Sequence, residues 1–114
     1  FEAERLYGEV LAAAPHDSEA IAGLGEVELL RGTDRAAEAR FQEALRANEN
    51  YVPALIALAD IHWHSGRADE ARRAYQSIVD QYSTDLYPPY VQLRSQSTSS
   101  AAGDNSALST ASDG

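Results

Sequence analysis

The sequence predicts an all-α fold: an α-solenoid of antiparallel helix pairs, about two and a half repeats long, followed by a disordered tail. Three observations lead there. Small, large and glycine positions recur one repeat length, ~34 residues, further on. Ala20, Ile21, Leu24, Gly25 and Glu26 fall on Ala54, Leu55, Leu58, Ala59 and Asp60, and Gly32, Ala37, Phe41 and Gln42 fall on Gly66, Ala71, Tyr75 and Gln76. Within each half-unit the apolar residues return at the three- and four-residue steps of one helical stripe, as in Ala37, Phe41, Ala44, Leu45, Asn48 and in Ala71, Tyr75, Ile78, Val79, Tyr82. Gly32 and Gly66 stand where the first helix of each unit must end, because glycine enters the left-handed region at little steric cost.

Residues 1–14 come first, as the second helix of a truncated repeat. Ala3, Glu4, Tyr7 and Leu11 lie under Ala37, Glu38, Phe41 and Leu45, and Ala3, Leu6, Tyr7, Val10, Leu11 and Ala14 share a face. Arg5 is spaced to meet Glu2 and Glu9, and Pro15 stops the helix. A full repeat occupies 18–48. Asp17 or Ser18 caps its first helix, which runs to about Arg31, and Thr33 or Asp34 caps the second. Another full repeat occupies 52–82, with Pro53 in a first turn where its missing N–H does no harm.

The repeat body thus covers 1–83. Beyond Thr84 the register fails, since Pro88 and Pro89 stand where Ala54 and Leu55 should recur. A short capping helix over 84–94, starting near Pro89, is expected to lay Tyr90, Val91 and Leu93 over the end of the last pair. Residues 95–114 are a low-complexity tail of serine, alanine, glycine and threonine, too poor in large apolar side chains to offset the entropy of ordering.

Size alternation explains the packing. Helix axes approach to about 8–10 Å only where the contact side chains are small, as at Gly25, Ala59, Ala37 and Ala71, and the rings of Phe41 and Tyr75 then fill the gap toward the next pair. The order large, Leu, small, then Gly, then Ala, aromatic, Ala resembles the tetratricopeptide repeat over residues 1 to about 83. The departures are Glu28 and His62 where that family has tyrosine, Ile21 and Leu55 in place of tryptophan, and a closing proline kept only as Pro15.

The resemblance implies that the first helix of each repeat lines a concave groove for extended or helical peptides. Carried over by position, it puts Glu19, Ala22, Glu26, Leu29 and Leu30 in the groove from one repeat, and Pro53, Ile56, Asp60, Trp63 and His64 from the next. The Lys, Arg and Asn set with which some relatives clamp a terminal carboxylate is missing from these positions. What remains is an apolar strip with Trp63, flanked by Glu19, Glu26 and Asp60, suited to a basic-apolar peptide segment. Trp63 packed between repeats is the competing expectation.

Composition bounds the rest. A net charge of −9 and a pI near 4.6 argue against nucleic acid or an anionic membrane as partner, both of which want a basic patch. The acidic surface favours basic or apolar partners and equally serves solubility. Without cysteine there is neither a disulfide framework nor a zinc–thiolate site, and no apolar run reaches the ~18 residues of a spanning helix. Asp60 and His64 share a helix face at a spacing compatible with a metal, but no third ligand is specified; Gly23 and Gly25 make a G-x-G inside a helical pattern with no strand before it, better read as close packing. No cofactor, metal or catalytic set is expected, since the tail serines lack a nucleophile elbow or a positioned base.

The function expected is a non-enzymatic protein–protein interaction scaffold, a piece of a larger, bacterial-style protein, given a chain without methionine. The alternative is a regulatory or oligomerising appendage of an upstream enzyme or signalling domain. Self-association through Leu6, Tyr7 and Val10 on the opening helix is a further expectation.

Overall fold

A computed structural model describes residues 1–97. Among them are α1 (Glu2–Ala13), α2 (Ser18–Arg31), α3 (Asp34–Ala47), α4 (Val52–His64), α5 (Ala68–Gln81) and α6 (Pro89–Ser95), with a 3₁₀ turn at Thr84–Leu86 between the last two. No strand occurs among the described residues, and the fold is an all-α helical repeat. The tail expected over 95–114 lies, from residue 98 on, outside the described residues. The chain divides into two compact units, Phe1–Leu58 and the part from Ala59 onward, so that α4 gives residues 52–58 to the first and 59–64 to the second.

In the first unit, α2 packs on both α1 and α3. The Ser18 hydroxyl donates to the Ala44 carbonyl at 3.2 Å, and Gly25 meets the Phe41 ring midway, so α2 and α3 run antiparallel. A Cβ on Gly25 would stand 2.8 Å from Cζ of Phe41, and this absence of a side chain is what lets the two helices approach. Gly23 does the same for the Tyr7 ring of α1. Phe41, Ala37 and Ala44 are fully buried, with Ala20, Ile21, Leu24 and Val27 facing them in the same core. By contrast α1 has no fully buried residue. Beyond the Tyr7 contact it is tied by Glu4, which accepts a 2.5 Å bond from Arg31, whose guanidinium also stands 5.1 Å from the Phe1 ring centroid.

The helix ends follow from local chemistry. Asp17 accepts from the Ala20 N–H at 2.9 Å and is the N-cap of α2. Gly32 closes that helix at φ +81°, and Gly66 takes the same left-handed conformation after α4 at φ +83°. Thr33 departs from expectation, because its side chain makes no cap bond to α3. Its hydroxyl turns back to the Glu28 carbonyl, 2.9 Å away, and the Glu28 carboxylate, 2.6 Å away, serving the end of α2 instead. That carbonyl, in the last turn of α2, also accepts from the backbone N–H groups of Gly32 and Thr33.

In the second unit, α5 buries Ala71, Tyr75 and Ile78 and packs against α6. Ala59 and Ile61 of α4 are buried, as are Tyr87, Val91 and Ser95. Although residue identities lose register at Pro88 and Pro89, burial does not. Val91 stands one repeat length, ~34 residues, after Ala57 and two after Gly23, Ser95 after Ile61 and Val27, and all six are buried. Leu93 departs from its expected covering role and is 68 % exposed. The buried stripe of α6 runs through Val91 and Ser95, and Leu93 is rotated about 200° from Val91, at 100° per residue.

Candidate functional site

The expected site residues fall in both units. In the first, α2 carries Glu19, Ala22, Glu26 and Leu29: Ala22 is buried, Leu29 half-buried, and Glu19 and Glu26 exposed. Leu30 beside them is 75 % exposed, and Ile56, in the early part of α4, is half-buried. Glu19 lines a cleft of about 310 Å³ with Tyr7, Val10, Asp17 and Ala20. The Tyr51 phenol is held above its ordinary range, first by burial and then by the negative field of Glu19, Asp17 and Glu26.

In the second unit, α4 carries Asp60, Trp63 and His64. His64 is exposed, while Asp60 and Trp63 are half-buried and meet three residues from outside the expected set: Tyr75, Tyr90 and Arg94. The Tyr75 hydroxyl donates to Asp60 Oδ1 at 2.5 Å, and the Tyr90 hydroxyl donates to Asp60 Oδ2 at 2.7 Å. Each carboxylate oxygen therefore has a phenol. Arg94 completes the cluster: its Nη1 donates to the Tyr75 hydroxyl at 2.8 Å and stands 3.6 Å from Asp60 Oδ1.

Rings surround the guanidinium. Its carbon is 4.7 Å from the Trp63 ring centroid, 4.6 Å from Tyr90 and 5.7 Å from Tyr75, all within cation–π range. Trp63 and Tyr90 each meet Tyr75 edge-to-face, at 6.0 and 6.3 Å between centroids. Burial, and then the hydrogen bond to Asp60, push the Tyr75 phenol well above the usual tyrosine range, Arg94 opposing in part. Ionising it would strip Asp60 of a donor and set two negative charges side by side, so at neutral pH Tyr75 is a firm donor.

Chemically, the cluster is a cation seat: an indole face, two phenols and a carboxylate around one guanidinium. Among the described residues no three His, Asp or Glu side chains converge to hold a metal ion. Asp60 and Trp63 belong to the groove set expected from first-helix positions, whereas Tyr90 is expected only as a capping residue and Arg94 has no expected role. A signal for them existed, because they stand one repeat length, ~34 residues, after Ile56 and Asp60. The prolines before them masked it. Tyr75 was legible as a buried ring, but the reach of its hydroxyl to Asp60 was not.

A family model described as tetratricopeptide repeat matches residues 35–96, more than half of the chain. No curated protein and no solved structure matches it.

Proposed function

Given that this chain belongs to the tetratricopeptide repeat family, whose repeats are in general protein–protein interaction modules, we propose that it is a non-enzymatic scaffold for a basic-apolar segment of a protein partner. In the second unit the contact falls on Asp60, Trp63 and His64. In the first it falls on Glu19, Glu26, Leu29 and Ile56, with Ala22 beneath them as a buried spacer.

One observation carries the reading: Trp63 and Asp60 already hold a guanidinium, that of Arg94. An indole face gains from a cation at this distance, and the carboxylate supplies the countercharge that orients it. The net charge of −9 draws basic segments toward the chain before contact. Glu19 and Glu26 extend the same preference in the first unit.

Trp63 is the sole tryptophan, so its emission reports on this surface alone. Titration with an apolar peptide bearing arginine is expected to shift that emission saturably, and the same peptide with glutamate for arginine to leave it unchanged. An emission indifferent to both peptides sinks the reading.

Self-association is the second reading, favoured by the exposure of Leu6 and Val10 on α1, at 46 % and 42 %. Light scattering is then expected to show a mass that rises with concentration and falls with a Leu6→Glu substitution.

A further inference from the structure

The helix α6 is held in an unusual way. At seven residues it is shorter than the ~12–15 that a helix needs to persist on its own, so its structure depends on what it packs against. Its apolar anchorage is small: Val91 on the helix and Tyr87 before it are buried, beside the polar Ser95, while Leu93 lies out in solvent. Much of the remaining hold is polar and aromatic, from Arg94 over Trp63 and from Tyr90 onto Asp60. Those are the two groups on α4 that the proposed partner would use.

We infer that α6 is a built-in occupant of the surface formed by Asp60, Trp63 and Tyr75, and that an arginine-bearing segment of the partner binds there by displacing Arg94 and Tyr90. The inference rests on the reading of the chain as a scaffold for basic-apolar segments and names the competitor that such a segment meets. What α6 brings to the surface is the chemistry of that ligand: a planar cation on an indole, a donor to a phenol, and a phenol on a carboxylate. A lysine ammonium is a compact point charge without the planar fork, so it replaces Arg94 poorly.

An occupant tethered to its own site competes at high effective concentration. The apparent affinity for the partner is lowered in proportion to the fraction of molecules in which α6 has let go. Release is a local event, since short helices with little buried apolar area open well below the free energy of global unfolding. It leaves the Asp60 carboxylate and the Trp63 ring face open to a new cation, and the Tyr75 hydroxyl ready to accept from it.

The test uses the whole chain as wild type, Arg94→Gln and Tyr90→Phe, with a labelled apolar peptide bearing one arginine and its lysine counterpart, affinities being read by fluorescence anisotropy. Removing the tethered guanidinium is expected to tighten the arginine peptide about tenfold or more, Tyr90→Phe to tighten it about threefold, and the lysine peptide to gain less than the arginine peptide. Equal or weaker binding by both variants, with the wild type still binding, overturns the displacement and leaves the scaffold reading standing. Absence of binding by every form overturns both. Should circular dichroism show Arg94→Gln to have lost helix content, Tyr90→Phe, which removes a single hydroxyl and keeps every ring, decides alone.

Discussion

The hydroxyl of Tyr75 reaches Oδ1 of Asp60 at 2.5 Å, linking a fully buried ring on α5 to a half-buried carboxylate on α4. The same carboxylate accepts from Tyr90 and faces Arg94, so three side chains depend on one acceptor. Asp60→Asn keeps the shape but removes the charge and turns an N–H group toward one of the phenols. The expected loss is about 1–3 kcal/mol, the range for leaving a part-buried polar network short of a partner. Urea unfolding measures it, and an unchanged midpoint would mean that the carboxylate holds nothing in place.

The raised Tyr75 phenol makes stability depend on alkaline pH. Its folded value lies above the 10.0 of a free tyrosine, so its contribution is fully present below that pH. As the pH climbs beyond it, the unfolded chain releases the proton while the folded chain keeps it, and stability falls. Tyr51 is raised too and acts in the same direction. Urea midpoints measured between about pH 9 and 11 are expected to decline, and Tyr75→Phe to decline less steeply. A mutant as steep as the wild type would place the titration elsewhere.

At the start of α2, Asp17 satisfies the Ala20 N–H, one of the donors that a helix N-terminus leaves without a partner. Asp17→Ala is expected to cost about 1 kcal/mol in thermal or urea unfolding. The start of α3 makes the contrast, since Thr33 gives it no side-chain cap. Thr33→Val therefore loses the hydroxyl's contacts with the Glu28 carbonyl and carboxylate and no cap of α3, and its effect is expected at the end of α2, seen as faster amide exchange near Gly32 and not near Ala37.

Where a structural rule acts on size or spacing, the sequence already displays it. Gly32 and Gly66 marked helix ends and take positive φ; Ala37, Phe41, Ala71 and Tyr75 marked the buried stripes and are fully enclosed. Asp60 and Trp63 enter the expected groove set through the family resemblance, by their positions in the first helix of a repeat, and the spacing itself says nothing of Arg94 between them. Three features were not visible, for physical reasons. Spacing places the Tyr75 ring but says nothing of where its hydroxyl points. Pro88 and Pro89 delay the start of α6, hiding a burial register that Val91 and Ser95 nevertheless keep. The turn of Thr33 toward Glu28 is a choice between two nearby acceptors that its residue type alone does not make.

Glycine at position 25 is a packing requirement and glycine at position 8 is not, which gives two substitutions of opposite sign. Both lie inside helices, where alanine is better than glycine by about 0.5–1 kcal/mol. At Gly8 no neighbouring atom lies within 4 Å of an added Cβ, so Gly8→Ala is expected to realise that gain in full. At Gly25 the new Cβ would stand 2.8, 2.9 and 3.1 Å from three carbons of the Phe41 ring. That ring is fully buried and has nowhere to retreat, and overpacking of this kind costs about 1–3 kcal/mol, which outweighs the helical gain. Gly25→Ala is therefore expected to lower the urea midpoint while Gly8→Ala raises it. A Gly25→Ala chain as stable as the Gly8→Ala chain would mean that Phe41 slides aside freely, and the close approach of α2 and α3 would need another cause.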